Sequence, residues 1–268
     1  MFEKIPLLIN TIVLDIDGTI LNSNNDIQDR LPDIIKKLCK SSINIMLASA
    51  RPILSVAMIG AKLSIDCPFV GLNGGIVANS DRIYWTKELI VTPEIYQVLM
   101  SFKEQVSINY YYDFKWMVNN INDSVLEEVR LSGVNPTIDE NYIPKSIQKI
   151  LLIGDPNSLN IISDKLKQLN LNCTLSKSNY LEVTPLGVDK VIGIKKALDL
   201  IGSDKTKLVM AIGDGENDIP MFEAFDYSVA MGNASNIVKQ KADLVIEHCN
   251  NNGLTKFLEQ FYAKRVLL

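Results

Sequence analysis

Two carboxylates, Asp15 and Asp17, stand two residues apart in Leu14-Asp15-Ile16-Asp17-Gly18-Thr19, directly after the apolar run Thr11-Ile12-Val13-Leu14. The run reads as a buried parallel strand, so the pair falls at its carboxyl end, where open α/β sheets bind ligands. One carboxylate could act as nucleophile and the other as acid/base, a pairing that suggests phosphoryl transfer through an aspartyl-phosphate. Two simpler readings compete with it. Asp-Gly is a common turn pair, and D-x-D-G also opens calcium loops. A helix-loop-helix calcium site needs further oxygen ligands and a Glu at its twelfth position. Counted from Asp15 that position is Asp26, and Ile20 and Leu21 within the loop are apolar.

The elements that must hold the pair alternate between strand and helix. Strands are predicted over 10–15, 43–48 and 68–72, with helices over 27–40 and 52–63 between them. This β-α-β-α-β order favours a parallel sheet with right-handed crossovers. The last part of the chain repeats the rhythm, with helices over 191–201, 220–224, 235–241 and 253–262 and strands over 207–212, 227–231 and 244–247. The middle differs. Residues 108–114 and 115–118 read as a hairpin whose Tyr110, Tyr111, Tyr112 and Trp116 suit a half-exposed sheet. Further strands are expected over 146–153, 172–176 and 180–183, with helices over 93–105, 123–131 and 158–169. The expected fold is therefore α/β: a doubly wound, mainly parallel Rossmann-like core sheet with an inserted α+β cap domain. The core comprises 1–79 and 188–268, the insert 80–187, with hinges at Asn79-Ser80-Asp81 and Thr184-Pro185-Leu186-Gly187.

Composition narrows the partners. A chain of 268 residues with 47% hydrophobic content can bury a substantial core, and a net charge of −4 argues against a general polyanion-binding surface. No dense Lys/Arg stretch with interleaved aromatics occurs, so nucleic acid is not expected as a partner. The segment Met1-Phe2-Glu3-Lys4-Ile5-Pro6 lacks the pattern of a secretory leader, and no apolar run reaches membrane-spanning length. Cys39, Cys67, Cys173 and Cys249 are scattered without CxxC spacing and read as reduced thiols, so a cytoplasmic location is expected. The one histidine, His248, sits beside Cys249 and an Asn run in an expected loop, which leaves acid/base work to carboxylates or lysine.

Four segments fall where the predicted strands end or the next helices begin. They are Asp15/Asp17, Ala48-Ser49-Ala50-Arg51-Pro52, Val188-Asp189-Lys190 and Gly213-Asp214-Gly215-Glu216-Asn217-Asp218. Parallel topology would gather them at one sheet edge. In these segments, in this order and with a cap-sized insert between the second and third, the chain resembles the haloacid dehalogenase-like hydrolases. Within them it resembles the Cof-type phosphatases with a large α/β cap. Asn73-Gly74-Gly75 and Ala230-Met231-Gly232-Asn233-Ala234 also look like subfamily segments. The resemblance spans nearly the whole chain.

That resemblance implies a Mg2+-dependent phosphatase of small phosphorylated metabolites, such as sugar phosphates or phosphorylated cofactors. It implies Asp15 as nucleophile and Asp17 as general acid and then base. Asp15, the Asp17 carbonyl and Asp214 would hold the metal, with Asp218 either a further ligand or an orienter of bound water. Ser49 and Lys190 would bind the phosphoryl oxygens. Gly18, Thr19 and Asn217 would lie against phosphate or substrate. A charge count agrees: four carboxylates against Lys190 and a divalent cation leave about −1 before the substrate binds. Ser49 could instead cap the helix at Pro52, Lys190 could be a solvated helix-start residue, and Asp214 and Asp218 could cap the helix at Pro220. Arg51 reads as a structural ion-pair or cap-facing residue. Ala50 and Val191 stand where the subfamily usually has glycine. The expected assembly is a monomer or weak homodimer. A phosphomutase of the same superfamily and a non-enzymatic, receiver-like phosphate sensor are the alternative functions.

Overall fold

The computed structural model describes residues 6, 8–138, 144–202 and 208–266. Residues 1–5 of the N-terminal segment and Lys207, expected to open a strand, lie outside the described residues. The chain starts with β1 (Ile9–Leu14), α1 (Leu31–Lys40), β2 (Asn44–Leu47) and α2 (Ile53–Lys62). A small antiparallel sheet follows, formed by β3 (Phe69–Gly71), β4 (Ile76–Ala78) and β5 (Ile83–Thr86). β6 (Leu89–Ile90) and α3 (Pro93–Ser101) lead to the hairpin β7 (Val106–Tyr112) and β8 (Lys115–Val118), then α4 (Asp123–Ser132) and β9 (Thr137–Ile138). β10 (Ser146–Ile147), β11 (Lys149–Gly154), α5 (Pro156–Gln168), β12 (Leu171–Lys177) and β13 (Tyr180–Pro185) complete the middle. The chain returns through α6 (Lys190–Leu200), β14 (Leu208–Gly213), α7 (Ile219–Ala224), β15 (Tyr227–Ala230), α8 (Asn236–Lys241), β16 (Leu244–Val245) and α9 (Gly253–Val266).

The core sheet is parallel in the order β16-β15-β14-β1-β2. β1 is buried at every residue because helices cover both faces of the sheet. Its Ile12 and Leu14 join the apolar layer of α1 and α9, while Val13 joins that of α6 and α7. That two-sided burial is why its sequence is continuously apolar rather than alternating. The predicted helix over 27–40 begins only at Leu31, with Pro32 in its first turn, where a missing N–H costs nothing. The residues before it form a loop pinned by the buried Gln28. Its amide donates to Thr19 O, and its carbonyl oxygen accepts from Leu254 and Thr255 N–H at the start of α9. No helix among the described residues is long and apolar enough to cross a membrane.

The second large sheet runs β12-β13-β11-β7-β8-β9. Alternation along its strands defines two faces. Ile108, Tyr110, Ile150, Leu152, Leu181 and Val183 pack with α3 and α5 on the outer face. Tyr111, Trp116, Leu151, Ile153 and Tyr180 point inward and join Val125 of α4 and Ile53 and Val56 of α2 in one apolar cluster. The sheet is thus covered on both sides, and Tyr110, Tyr111 and Trp116 are buried rather than half-exposed. The turn at 79–81, expected as a hinge, instead closes the β4–β5 hairpin. Asn79 N–H donates to Arg82 O, and its side-chain carbonyl accepts from Asp81 and Arg82 N–H.

Candidate active site

The carboxyl end of β1 delivers Asp15, whose N–H still donates to Ile212 O of β14 and so continues the ladder. Asp15 is buried in the crevice where β1 lies between β2 and β14. Lys190 enters from the first residue of α6, a start set by Asp189, whose side chain caps Ile192 N–H. The lysine is fully buried and not a solvated helix-start residue. Its Nζ lies 2.5 Å from Asp15 Oδ1 and 2.5 Å from Asp218 Oδ1. Asp218, at the end of the 3-10 turn Glu216–Asp218, accepts the N–H groups of Asp214 and Gly215 on its Oδ2, 2.9 Å each. Both of its oxygens are thereby engaged.

Asp15, Asp214 and Asp218 place a carboxylate oxygen each within 4.8 Å of one another. Asn233, a residue to which the sequence reading gives no role, donates its amide to Asp214 Oδ2 at 2.8 Å and Gly18 O at 2.9 Å. Gly18 has φ +73°, and a Cβ there would stand 2.2 Å from Asp214 Oδ2, so a side chain would displace the carboxylate. Gly213 is held to glycine by Asp218 in the same way, at 2.3 Å. Thr19 is fully buried, and among the described residues its hydroxyl has no hydrogen-bond partner.

Three carboxylates around one lysine carry more negative charge than the lysine offsets. Burial, and then Asp218 beside it, pushes Asp214 up to about 7. Burial and the neighbouring carboxylates hold Asp15 well above the usual carboxylate range, against the pull of Lys190. Burial alone would depress Lys190, but the Asp15 and Asp218 charges more than offset it and keep the ammonium above its ordinary value. This donor set fits a hard divalent cation: it is all oxygen, and such an ion relieves the excess charge. The hydrogen bonds described leave Asp15 Oδ2 and Asp214 Oδ1 for that ion.

Ser49 is buried and follows β2, with Ala48 bridged to Val70 of β3. Its Oγ accepts Arg51 N–H at 3.2 Å, and the cap of α2 is Pro52 with no side-chain bond, so Ser49 does not cap that helix. The Asp17 carboxylate is not part of the three-carboxylate cluster and pairs with Arg51, with Nε 2.9 Å from Oδ2 and Nη2 2.6 Å from Oδ1. Asn217 reaches Asn73 across the opening, at 3.5 Å. His248 caps a short turn by accepting Asn250 N–H, in the loop position expected for it.

Asp15, Asp17, Ser49, Arg51, Asp214 and Asn217 line a cavity of about 780 Å3. Its far wall is the polar end of the inner face of the second sheet, where Lys149, Glu182, Tyr180 and Lys177 stand with Glu128 of α4. Lys149 is paired with Glu182 at 2.9 Å and donates to Ala50 O at 3.1 Å, so it spans from the second sheet to the loop that carries Ser49. Lys177 lies over the Tyr180 ring, 4.3 Å from its centroid. The sequence reading assigns none of these five a role. The available signal is a charge on a strand that is otherwise apolar: Lys149 opens Lys-Ile-Leu-Leu-Ile-Gly, and Glu182 interrupts Tyr-Leu-Glu-Val-Thr-Pro.

Residues 12–258 match the family model described as haloacid dehalogenase-like hydrolase. A 5-amino-6-(5-phospho-D-ribitylamino)uracil phosphatase of Bacillus subtilis is 25% identical, over 94% of this chain and 96% of its own. A haloacid dehalogenase-like hydrolase from Bacteroides thetaiotaomicron superposes with a TM-score of 0.85 at 28% identity, covering 94% of this chain and 99% of that one. A subclass IIB sugar phosphatase shares the fold with a TM-score of 0.78 at 20% identity, covering 94% of this chain and 98% of its own.

Proposed function

The chain belongs to the haloacid dehalogenase-like hydrolases and is a phosphatase, and we propose that it hydrolyses small phosphorylated metabolites through a phosphorylated Asp15. The observation that carries this reading is Lys190 bridging Asp15 and Asp218 at the edge of the cavity, with Asp214 beside them. The Asp15 carboxylate attacks phosphorus, and the bond to the ester oxygen breaks. Asp17 gives its proton to the departing alkoxide, and the alcohol leaves. Asp17, now a carboxylate, takes a proton from water. The water oxygen attacks phosphorus, the Asp15–phosphorus bond breaks, and inorganic phosphate and the free Asp15 carboxylate result. Lys190 and the Ser49 hydroxyl bind phosphoryl oxygens and offset the charge that gathers there. Asp15, Asp214 and the Asp17 carbonyl would hold Mg2+, which supplies charge neutralisation and polarises the phosphoryl group when bound. Asp218, with both oxygens engaged, orients Lys190 and the Asp214–Gly215 backbone instead of adding a ligand. Gly18 and Thr19 shape the loop under the phosphate, and Asn217 lies at its rim.

The cavity supports the substrate class. A space of about 780 Å3 roofed by a sheet admits a metabolite and keeps a folded phosphoprotein from Asp15. The phosphatase and sugar phosphatase among the similar proteins support the same class. The test is turnover of a panel of phosphorylated metabolites, scored by kcat/KM, with Asp15→Asn and EDTA as controls. We expect phosphate release that Asp15→Asn abolishes and that EDTA silences until Mg2+ is restored. Activity retained by Asp15→Asn refutes the nucleophile.

A further inference from the structure

Both polar atoms of the Asn233 side chain are engaged. The amide nitrogen donates to Asp214 Oδ2 at 2.8 Å and to Gly18 O at 2.9 Å. The carbonyl oxygen accepts Cys249 N–H at 3.0 Å. A backbone N–H can only donate, so Cys249 fixes which end of the Asn233 amide faces Asp214. Asp214 Oδ2 is enclosed as a result. It accepts the Asn233 amide, and it lies so near Gly18 that a Cβ there would stand 2.2 Å away. The neighbouring carboxylates are restricted too. Lys190 holds Asp15 Oδ1, and Asp218 has Oδ1 on Lys190 and Oδ2 on the N–H groups of Asp214 and Gly215.

Asp15, Asp214 and the Asp17 carbonyl can therefore each give a cation a single oxygen. A small set of single-oxygen ligands suits Mg2+, which keeps several waters and takes phosphate oxygens in a strict octahedron. Ca2+ takes about 6–8 oxygens and readily accepts both oxygens of one carboxylate. We propose that Asn233 is the residue that discriminates between these ions: by holding Oδ2 it keeps Asp214 a one-oxygen ligand and denies Ca2+ a chelating carboxylate. Asn233 acts through Asp214 and is a positioning residue. The inference rests on the proposed metal site of Asp15, Asp214 and the Asp17 carbonyl.

The test is titration calorimetry of the full chain, stripped with EDTA and free of substrate, with MgCl2 and separately with CaCl2. Asn233→Leu keeps the bulk and removes both donors. Loss of an outer partner of a metal ligand costs about 10–100-fold in affinity, and we expect Mg2+ to weaken by about that factor. Ca2+ gains the freed Oδ2 and should weaken by no more than a few-fold, so the preference for Mg2+ should fall about tenfold or more. If Asn233→Leu does not fold, Cys249→Pro reaches the same amide from the other side. Cys249 opens a 3-10 turn, where proline is tolerated, and His248 before it has φ −61° and ψ 145°, the backbone that a residue before proline adopts. The proline ring takes the place of the N–H and displaces Asn233 Oδ1, so the preference should shift the same way. A loss of packing alone would weaken both ions alike. An unchanged ratio of the two affinities in the folded variant therefore overturns the inference. Asp214→Asn separates the two failures. Mg2+ bound by Asp214→Asn as tightly as by the unaltered protein overturns the metal site itself. Binding lost in Asp214→Asn, with an unchanged ratio in Asn233→Leu or Cys249→Pro, overturns this inference alone.

Discussion

Lys190 has two tasks that a single substitution separates. Its ammonium keeps Asp15 and Asp218 apart electrically and presents a positive charge to the phosphoryl group. Removing one partner from a buried ion pair costs about 3–5 kcal/mol, because the remaining charge has no solvent. Lys190→Met should lower stability by about that amount in EDTA, and by less once Mg2+ takes over the neutralisation; denaturant unfolding with and without the metal measures both. Gly18→Ala tests the metal corner from the other side. Its Cβ would collide with Asp214 Oδ2, so the variant should need a higher Mg2+ concentration for half-maximal activity. An unchanged requirement would separate Gly18 from that corner. These residues stand out in the sequence because the chemistry admits few residue types and places them at strand ends. Asn233 stands out only within the segment Ala230-Met231-Gly232-Asn233-Ala234, and its role does not, since its amide acts on Asp214 across a contact 19 residues away in the chain.

At the scale of elements, the strand order of the core follows from the alternation of strand and helix, whereas the inner face of the second sheet depends on what covers it. Lys149, Glu182 and Tyr180 are polar groups on inward positions, and only the packing of α4 shows that inward means toward the cavity. The same packing buries Tyr111 and Trp116, whose stacked rings, 5.8 Å apart, look from sequence alone like half-exposed sheet. The hairpin of β4 and β5 was also hidden, because short strands around Asn79–Asp81 carry the composition of a linker. Glu128 on α4 gives a pH test of the cavity wall. Burial, only partly countered by Lys149, Lys177 and a hydrogen bond to Tyr180, raises its carboxyl. A group raised in the folded state stabilises fully below its unfolded value, and that stability is lost as pH rises through the folded value. Glu128→Gln should therefore gain thermal stability over the unaltered protein as pH climbs from about 4 toward neutrality. A difference that is flat with pH would refute the buried-carboxyl account.

For the molecule as a whole, the division of labour predicts a division of phenotype. Substitutions on the far wall, such as Lys177→Ala, should change kcat/KM between metabolites while leaving p-nitrophenyl phosphate turnover within a few-fold. Substitutions at Asp15 should silence every substrate alike. The interleaved chain has a further consequence, for synthesis. β1 is central in its sheet, yet one of its two neighbours, β14, lies about 200 residues downstream. At about 5–20 residues per second, a ribosome takes about 10–40 s to deliver it. Throughout that interval β1 offers a bare apolar edge, the kind of strand that recruits wrong partners. The strands of the second sheet, by contrast, are contiguous and can pair as soon as β13 emerges. Stalled chains that end near residue 187 should thus resist protease over 93–185 and be cut within 9–62, with the inserted segment folding first and the segment that carries the nucleophile waiting on chaperones until the last third of the chain arrives.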